Sequence, residues 1–266
     1  WTVDSSPVTP TTATLSGAFF DKDDPVFCTV TPTDGDDAGT PVNSNTVEID
    51  NTAPSISSVS IDPATATVSS TLTCSYSGYS DADGDADQST FSWTIGATEV
   101  GTSSTLSSGY SSGDTVVCTV TPNDGTADGA PDSASIVIDN AAPSISSVSI
   151  APATATVSST LTCSYSGYSD ADGDADQSTY SWTIAATQVG TSSTLSGAFT
   201  RDDTVTCTVT PFDGTDPGTP VSNSVTIDNT APVLSSVSLT PTTAFEGSTL
   251  TCTQGSASDA DGDSIT

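Results

Sequence analysis

The 266-residue sequence contains no histidine and no methionine. Without histidine it lacks the commonest general base, the commonest metal-binding ring and the side chain that titrates near neutral pH. Its basic residues number 2, Lys22 and Arg201, against 33 acidic ones, for a formal net charge of −31. That balance excludes nucleic acid and anionic membranes as electrostatic partners. Apolar residues make up only 33%, below the roughly 45–50% of ordinary globular domains, so each core is expected to be thin. No apolar run approaches the ~20 residues of a membrane-spanning helix, so no membrane span is expected in this segment. No N-terminal targeting segment and no Asn-x-Ser/Thr sequon is visible. With no nucleophile–base pair and no cluster of cations to hold an anion, the chain is not expected to be an enzyme. Paired carboxylates can hydrolyse glycosides, but here they recur identically in successive repeats, which fits a structural role.

What the chain has is Asp, Ser and Thr. Asp accounts for 30 of the 33 acidic residues, and Ser plus Thr for 95 residues. The Asp residues fall at fixed positions, which argues for placement, although a bulk acidic surface also suits high salt. The dominant pattern is internal repetition. APSISSVSI begins at residue 53 and again at 142, and APVLSSVSL begins at 231, a constant spacing of 89 residues. Residues 53–141 and 142–230 are therefore two complete, near-identical copies. Residues 231–266 match the start of a copy and residues 1–52 match the remainder, with Trp1-Thr2-Val3 aligned on Trp93-Thr94-Ile95. Joining the two would restore a third domain. Two arrangements fit: one period of a longer repetitive polypeptide, or separate chains that complete each other's split domain end to end.

Within each copy the apolar residues alternate with period two. Val205, Cys207 and Val209 share one face, as do Leu72, Cys74 and Tyr76, then Phe91, Trp93 and Ile95, and finally Ile136 and Ile138. Ser and Thr fill the outward positions, where they also offer acceptor hydroxyls for O-linked glycans. The first complete copy is read as about seven strands, near 55–61, 70–77, 90–96, 98–101, 103–107, 114–121 and 133–139, with no helical period. The six cysteines pair within repeats: Cys74 with Cys118, Cys163 with Cys207, and Cys252 with Cys28 across the junction of the two partial copies. This spacing implies oxidised, extracytoplasmic chemistry, and the absence of any CxxC argues against zinc.

The order Cys, Trp, Cys resembles the immunoglobulin pattern, and the repeats resemble more closely the immunoglobulin-like, PKD-like and cadherin-like modules of large bacterial and archaeal surface proteins. The stretches that carry the likeness are Ser80-Asp81-Ala82-Asp83-Gly84-Asp85, Gly113-Asp114-Thr115-Val116 and Thr121-Pro122-Asn123-Asp124-Gly125. The tyrosine of antibody domains, two residues before the second cysteine, is replaced by Val116, Val205 and Val26. The implied fold is all-β: tandem immunoglobulin-like Greek-key β-sandwiches with one disulfide in each domain. Residues 53–141 and 142–230 are then complete immunoglobulin-like domains. Residues 1–52 are the C-terminal part of a split domain, and 231–266 the N-terminal part.

The acidic loops are the candidate sites. Asp81, Asp83, Asp85 and Asp87 recur as Asp170, Asp172, Asp174 and Asp176, and the third copy keeps Asp259, Asp261 and Asp263. Closely spaced carboxylates around a glycine turn are hard oxygen ligands suited to Ca2+; the glycine is fourth in the loop, not sixth, so this is no EF-hand. In such sandwiches a second loop lies at the same end. It carries Asp124 and Asp128, or Asp213 and Asp216, or Asp34, Asp36 and Asp37. The linker residues Asp50, Asp139 and Asp228 begin the next domain there. Cadherin-like modules stiffen their joints with Ca2+, and the resemblance implies the same here. The competing reading is that these Asp-Gly and Asn-Asp pairs only make solvated turns. The functional expectation is a rigid extracellular or cell-surface filament or stalk whose partners are copies of itself, with a repetitive adhesin that binds a receptor or polysaccharide as the alternative.

Overall fold

The computed structural model describes all 266 residues, Trp1–Thr266. They form two compact units, Trp1–Asp139 and Asn140–Thr266. Each unit contains one complete β-sandwich and one partial one.

In the first unit the complete sandwich has eight strands: β1 (Ser58–Asp62), β2 (Ala66–Thr67), β3 (Leu72–Ser77), β4 (Thr90–Ile95), β5 (Thr98–Gly101), β6 (Thr105–Leu106), β7 (Thr115–Thr121) and β8 (Asp132–Asp139). One sheet runs β6-β3-β1 and the other β5-β4-β7-β8-β2. The chain crosses repeatedly between the two sheets, with the Greek-key connections of immunoglobulin-like domains. The strand that composition does not announce is β2. It is two residues long and pairs in parallel with β8, Ala66 opposite Ile138. It seals the β8 edge, which would otherwise present unpaired backbone groups.

Alternation sets the core. Leu72, Trp93, Val116, Cys118 and Val120 are fully buried, and Cys74 and Ile138 nearly so. Cys74 of β3 is bonded to Cys118 of β7, tying the two sheets. Trp93 lies opposite Cys118 in the β4–β7 register. Its indole N–H donates to the Ser103 carbonyl at 2.8 Å, so the one polar atom of the largest core side chain is satisfied. A bulge between Trp93 and Thr94 re-aims the β4–β5 pair. There a Cβ in place of Gly101 would stand 3.0 Å from the Leu106 side chain and 3.5 Å from Trp93, so glycine spares a tight contact. Outward hydroxyls meet across strands, as in the Ser58–Ser77 contact at 2.9 Å.

The second unit repeats this sandwich with β9 (Ser147–Ala151), β10 (Ala155–Thr156), β11 (Thr160–Ser166), β12 (Thr179–Ile184), β13 (Thr187–Gly190), β14 (Thr194–Ser196), β15 (Thr204–Thr210) and β16 (Val221–Asp228). Its sheets are β9-β11-β14 and β10-β16-β15-β12-β13, and Cys163 is bonded to Cys207. The loop aromatics of the two complete sandwiches pack inward to differing degrees. Tyr110 and Phe199 are buried, and Tyr79 and Tyr168 are half-buried.

The partial sandwiches are simpler. Residues 1–50 form a sheet of Ser6–Pro7, Thr2–Val3, Pro25–Phe27 and Val47–Glu48, in that order, with Thr29–Val30 paired to Val42–Asn43. Residues 231–266 form two short antiparallel pairs, Val233–Leu234 with Ala257–Ser258 and Val237–Thr240 with Thr251–Gln254. Cys28 and Cys252 are not bonded within the chain.

Candidate metal centres

The loop between β3 and β4 begins on Asp81, and it folds around that carboxylate. Asp81 Oδ1 accepts hydrogen bonds from the backbone N–H of Asp83 at 2.9 Å and of Asp85 at 3.0 Å. Gly84, between them, takes φ +79°, a left-handed turn that glycine adopts without strain. The result brings one oxygen each from Asp81, Asp83 and Asp85 within 4.8 Å of one another. The preceding linker then closes the loop: the Thr52 N–H donates to Asp83 Oδ2 at 2.6 Å.

The same geometry recurs twice. Asp170 Oδ1 accepts from the Asp172 and Asp174 N–H groups at 2.9 and 3.0 Å, and Ala141 N–H donates to Asp172 at 2.6 Å. Asp259 Oδ1 accepts from Asp261 and Asp263 at 2.9 and 3.3 Å, and Thr230 N–H donates to Asp261. Both sets of three oxygens again lie within 4.8 Å.

Three anions so close repel one another unless a cation intervenes. Two clusters hold carboxylate oxygens that no donor reaches. Asp81 Oδ2, Asp170 Oδ2 and Asp172 Oδ1 are buried without a hydrogen-bond partner, as is the amide oxygen of the linker residue Asn51. Buried oxygens of this kind are ordinarily paired. An all-oxygen set of carboxylates fits a hard divalent cation.

The neighbouring loop between β7 and β8 is held at the same end. Gln88 N–H donates to the Asn123 carbonyl at 2.8 Å. Asp124 is 5% exposed, and its carboxylate accepts from the Asn51 side-chain amide at 2.8 Å and from the Thr126 and Ala127 N–H groups, both at 2.6 Å. The Asn51 amide foremost, then the Ala127 N–H, hold its pKa down at about 2. Asp213 is held below the usual carboxylate range chiefly by the Asn140 amide, 2.9 Å away. Gly129 lets this loop touch the linker: a Cβ there would stand 1.8 Å from the Pro54 carbonyl oxygen.

Several residues picked out by sequence stand elsewhere. Asp87 and Asp176 are outside the triplets, where each accepts from a strand tyrosine, Tyr76 or Tyr165, at 2.8 Å. Asp128 accepts from Asn123 at 2.7 Å and Asp216 from Asn140 at 3.0 Å. Asp34 caps its own turn by accepting from the Asp36 and Asp37 N–H groups at 3.1 and 2.9 Å. The linker carboxylates Asp50, Asp139 and Asp228 are exposed. The ties from the linkers are made by Asn51, Thr52, Asn140, Ala141 and Thr230.

Sequence reasoning missed the two basic residues. Lys22 Nζ donates to Asp85 Oδ2 at 2.7 Å and to the Thr126 hydroxyl at 3.4 Å, and the Asp85 contact raises the lysine's pKa above its usual value. Arg201 donates to Asp263 and, at 2.9 Å, to Asn229 Oδ1. Each thus reaches the last carboxylate of the triplet in the following repeat. The available signal was register: both stand six residues before a cysteine, Cys28 and Cys207, and the equivalent position before Cys118 is Ser112. With both basic side chains engaged at Asp85 and Asp263, the Asp170 cluster receives neither.

No family model and no curated protein matches the chain. Among solved structures it is similar to a two-domain fibronectin type-III segment of chicken tenascin, at 11% identity and TM-score 0.38, over 64% of this chain and 98% of that one. It is also similar to the FN1–FN3 domains of chicken CNTN1, at 14% identity and TM-score 0.27, over 71% and 74% of the two chains. A third is domains A168–A170 of titin, at 13% identity and TM-score 0.27, over 77% and 76%. The fold assignment stands on strand order, inter-sheet disulfides and the buried tryptophans: the chain is a tandem array of immunoglobulin-like β-sandwiches.

Proposed function

We propose that the chain is a structural protein: a rigid extracellular filament or stalk of serial immunoglobulin-like domains, stiffened by Ca2+ bound in the acidic clusters. The observation that carries this reading is the recurrence, in three successive repeats, of an aspartate triplet fastened to the preceding linker by a backbone N–H. A cation held by Asp81, Asp83 and Asp85 fixes the loop to the linker, whose Thr52 N–H binds Asp83, and restricts the hinge between domains. The Asp170 and Asp259 clusters act alike. Two disulfides within the sandwiches accord with an oxidising, extracellular setting. The adhesin reading gains no specific support, because the complete domains are near-identical and their large aromatics are turned into the sandwiches.

Calorimetric titration of the chelator-treated chain with Ca2+, together with melting in Ca2+ and in chelator, tests the proposal. Saturable binding and a higher transition in Ca2+ are expected. No heat of binding and an unchanged transition would overturn the cation reading.

A further inference from the structure

The two basic residues of the chain occupy equivalent places on one recurring turn. That turn precedes the strand leading to the second cysteine of each repeat, at Asp21–Asp24, Ser111–Asp114 and Thr200–Asp203. Its last aspartate caps its first residue: the N–H groups of Asp21, Ser111 and Thr200 donate to Asp24, Asp114 and Asp203 at 2.7, 2.8 and 2.7 Å. The third residue takes a left-handed φ, +67° at Asp23, +83° at Gly113 and +69° at Asp202, which Gly and Asp tolerate best. Its N–H donates to the carbonyl of Ile49, Ile138 or Ile227 at 2.9, 2.8 and 2.9 Å. The turn is thereby fastened to the residues that enter the linker, and its second position carries Lys22, Ser112 or Arg201.

From that position each base reaches an aspartate triplet. Lys22 Nζ donates to Asp85 and to the Thr126 hydroxyl, so one ammonium joins both loops of the acidic end. Arg201 donates to Asp263 and to the linker residue Asn229. Both ion pairs are partly shielded from solvent. Two triplets therefore already hold a cation supplied by the protein. The Asp170 triplet holds neither base, and it buries unpaired oxygens of Asp170 and Asp172. The three triplets share their ligand spacing and their linker N–H bond; the base is what sets them apart electrostatically. The affinity of an oxygen site for Ca2+ follows its carboxylate charge. The Asp170 triplet offers three charges that no base engages. In the other two, an entering ion must displace a base or bind beside its positive charge.

We infer, resting on the Ca2+ reading of these triplets, that Lys22 and Arg201 are internal competitors for the metal and that the chain fills its sites in two tiers. The Asp170 triplet takes Ca2+ first. The Asp81 and Asp259 triplets take it only at higher Ca2+, when the ion displaces the base. At low Ca2+ the lysine and the arginine stand in the ion's place, each tying a turn of one repeat to the acidic loop of the next. The same base then sets how much Ca2+ is needed to replace it. Ligand identity is unchanged among the three triplets, so the tiers come from the neighbouring positive charge alone.

Calorimetric titration of the chelator-treated 266-residue chain with Ca2+ reads the tiers. The unmodified chain should give a biphasic isotherm, one tight site followed by two weaker ones, from its three triplets. Lys22→Ala and Arg201→Ala should each move one weak site into the tight class. The shift is roughly 5–30-fold in affinity, the combined effect of one partly exposed ion pair and one like charge a few ångströms away. The double variant should show a single class of three sites. Lys22→Arg keeps a positive charge on the turn and should leave the isotherm biphasic. Equal affinity at all three sites of the unmodified chain, or alanine variants whose isotherms match it, would overturn the two tiers while leaving Ca2+ binding intact. No heat of binding in any of these chains would overturn the Ca2+ reading itself, and the tiers with it.

Discussion

Removing the Cys163–Cys207 bridge is the sharpest probe of how these domains are held together. The bonded cysteines are 44 residues apart, and closing a loop of about that length in the unfolded chain stabilises the fold by about 4 kcal/mol on the loop-entropy estimate. A domain of this size unfolds with an entropy of roughly 0.19 kcal/mol/K, from about 2.1 cal/mol/K per residue. The double variant Cys163→Ala/Cys207→Ala should therefore melt on the order of 20 °C lower. Part of the loss comes from packing, because both sulfurs lie in the core beside Trp182 and Leu161. The core is otherwise small, assembled largely from valines, isoleucines and leucines around Trp182, so little other stabilisation is in reserve. Differential scanning calorimetry of the whole chain reads the effect directly. One transition should move far down while that of the 53–139 domain stays within a few degrees. A shift below about 5 °C would refute the claim that a thin core depends on its bridge.

Four further outcomes follow from the site geometry. Gly218→Ala places a Cβ 1.7 Å from the Pro143 carbonyl oxygen. The backbone must yield at a cost of about 1–3 kcal/mol, measurable as a lower midpoint in denaturant titration. Acid should destabilise the 53–139 domain through Asp124. Its folded pKa is about 2 against an ordinary 3.8, so its contribution is complete above the ordinary value and is lost as pH falls toward the folded one. Melting temperatures recorded between neutral pH and pH 2 should show that loss, and Asp124→Asn should flatten it. Lys22→Ala should change thermal stability little, since partly exposed ion pairs are worth about 0–1 kcal/mol. In calorimetry it should instead tighten Ca2+ binding at the Asp81 cluster by freeing Asp85. Asp170→Asn, which neutralises the carboxylate that organises the one cluster without a basic partner, should remove the tightest class of Ca2+ sites from the same titration.

Much of this molecule can be read from period-two patterning and repetition, and the exceptions have identifiable causes. The rows Val205, Cys207, Val209 and Leu72, Cys74 point inward because alternation leaves a half-buried strand no other choice. The parallel strand β2 escapes such reading because two residues have no period, and its partner β8 is distant in sequence. In the acidic loops, spacing groups Asp87 with its three neighbours, but Tyr76 and Ser89 offer hydrogen bonds that turn it toward the strand. In the linkers a carboxylate looks the better ligand, yet Asp50 is exposed and Asn51 makes the buried contact. An amide donates to the Asp124 carboxylate, whereas a second carboxylate there would repel it. Lys22 and Arg201 look like isolated cations in the sequence. Their meaning lies in their register before the cysteines of β15 and of the N-terminal sheet, and in what the following repeat presents to them.

The central claim is that Ca2+ in the acidic clusters stiffens a series of these domains. Electron microscopy of the 266-residue chain in Ca2+ and in chelator tests it most directly. Straight rods are predicted in Ca2+, beaded at one sandwich per ~40 Å as strand length plus loops dictates. Particles that bend between sandwiches as freely in Ca2+ as in chelator would contradict the account.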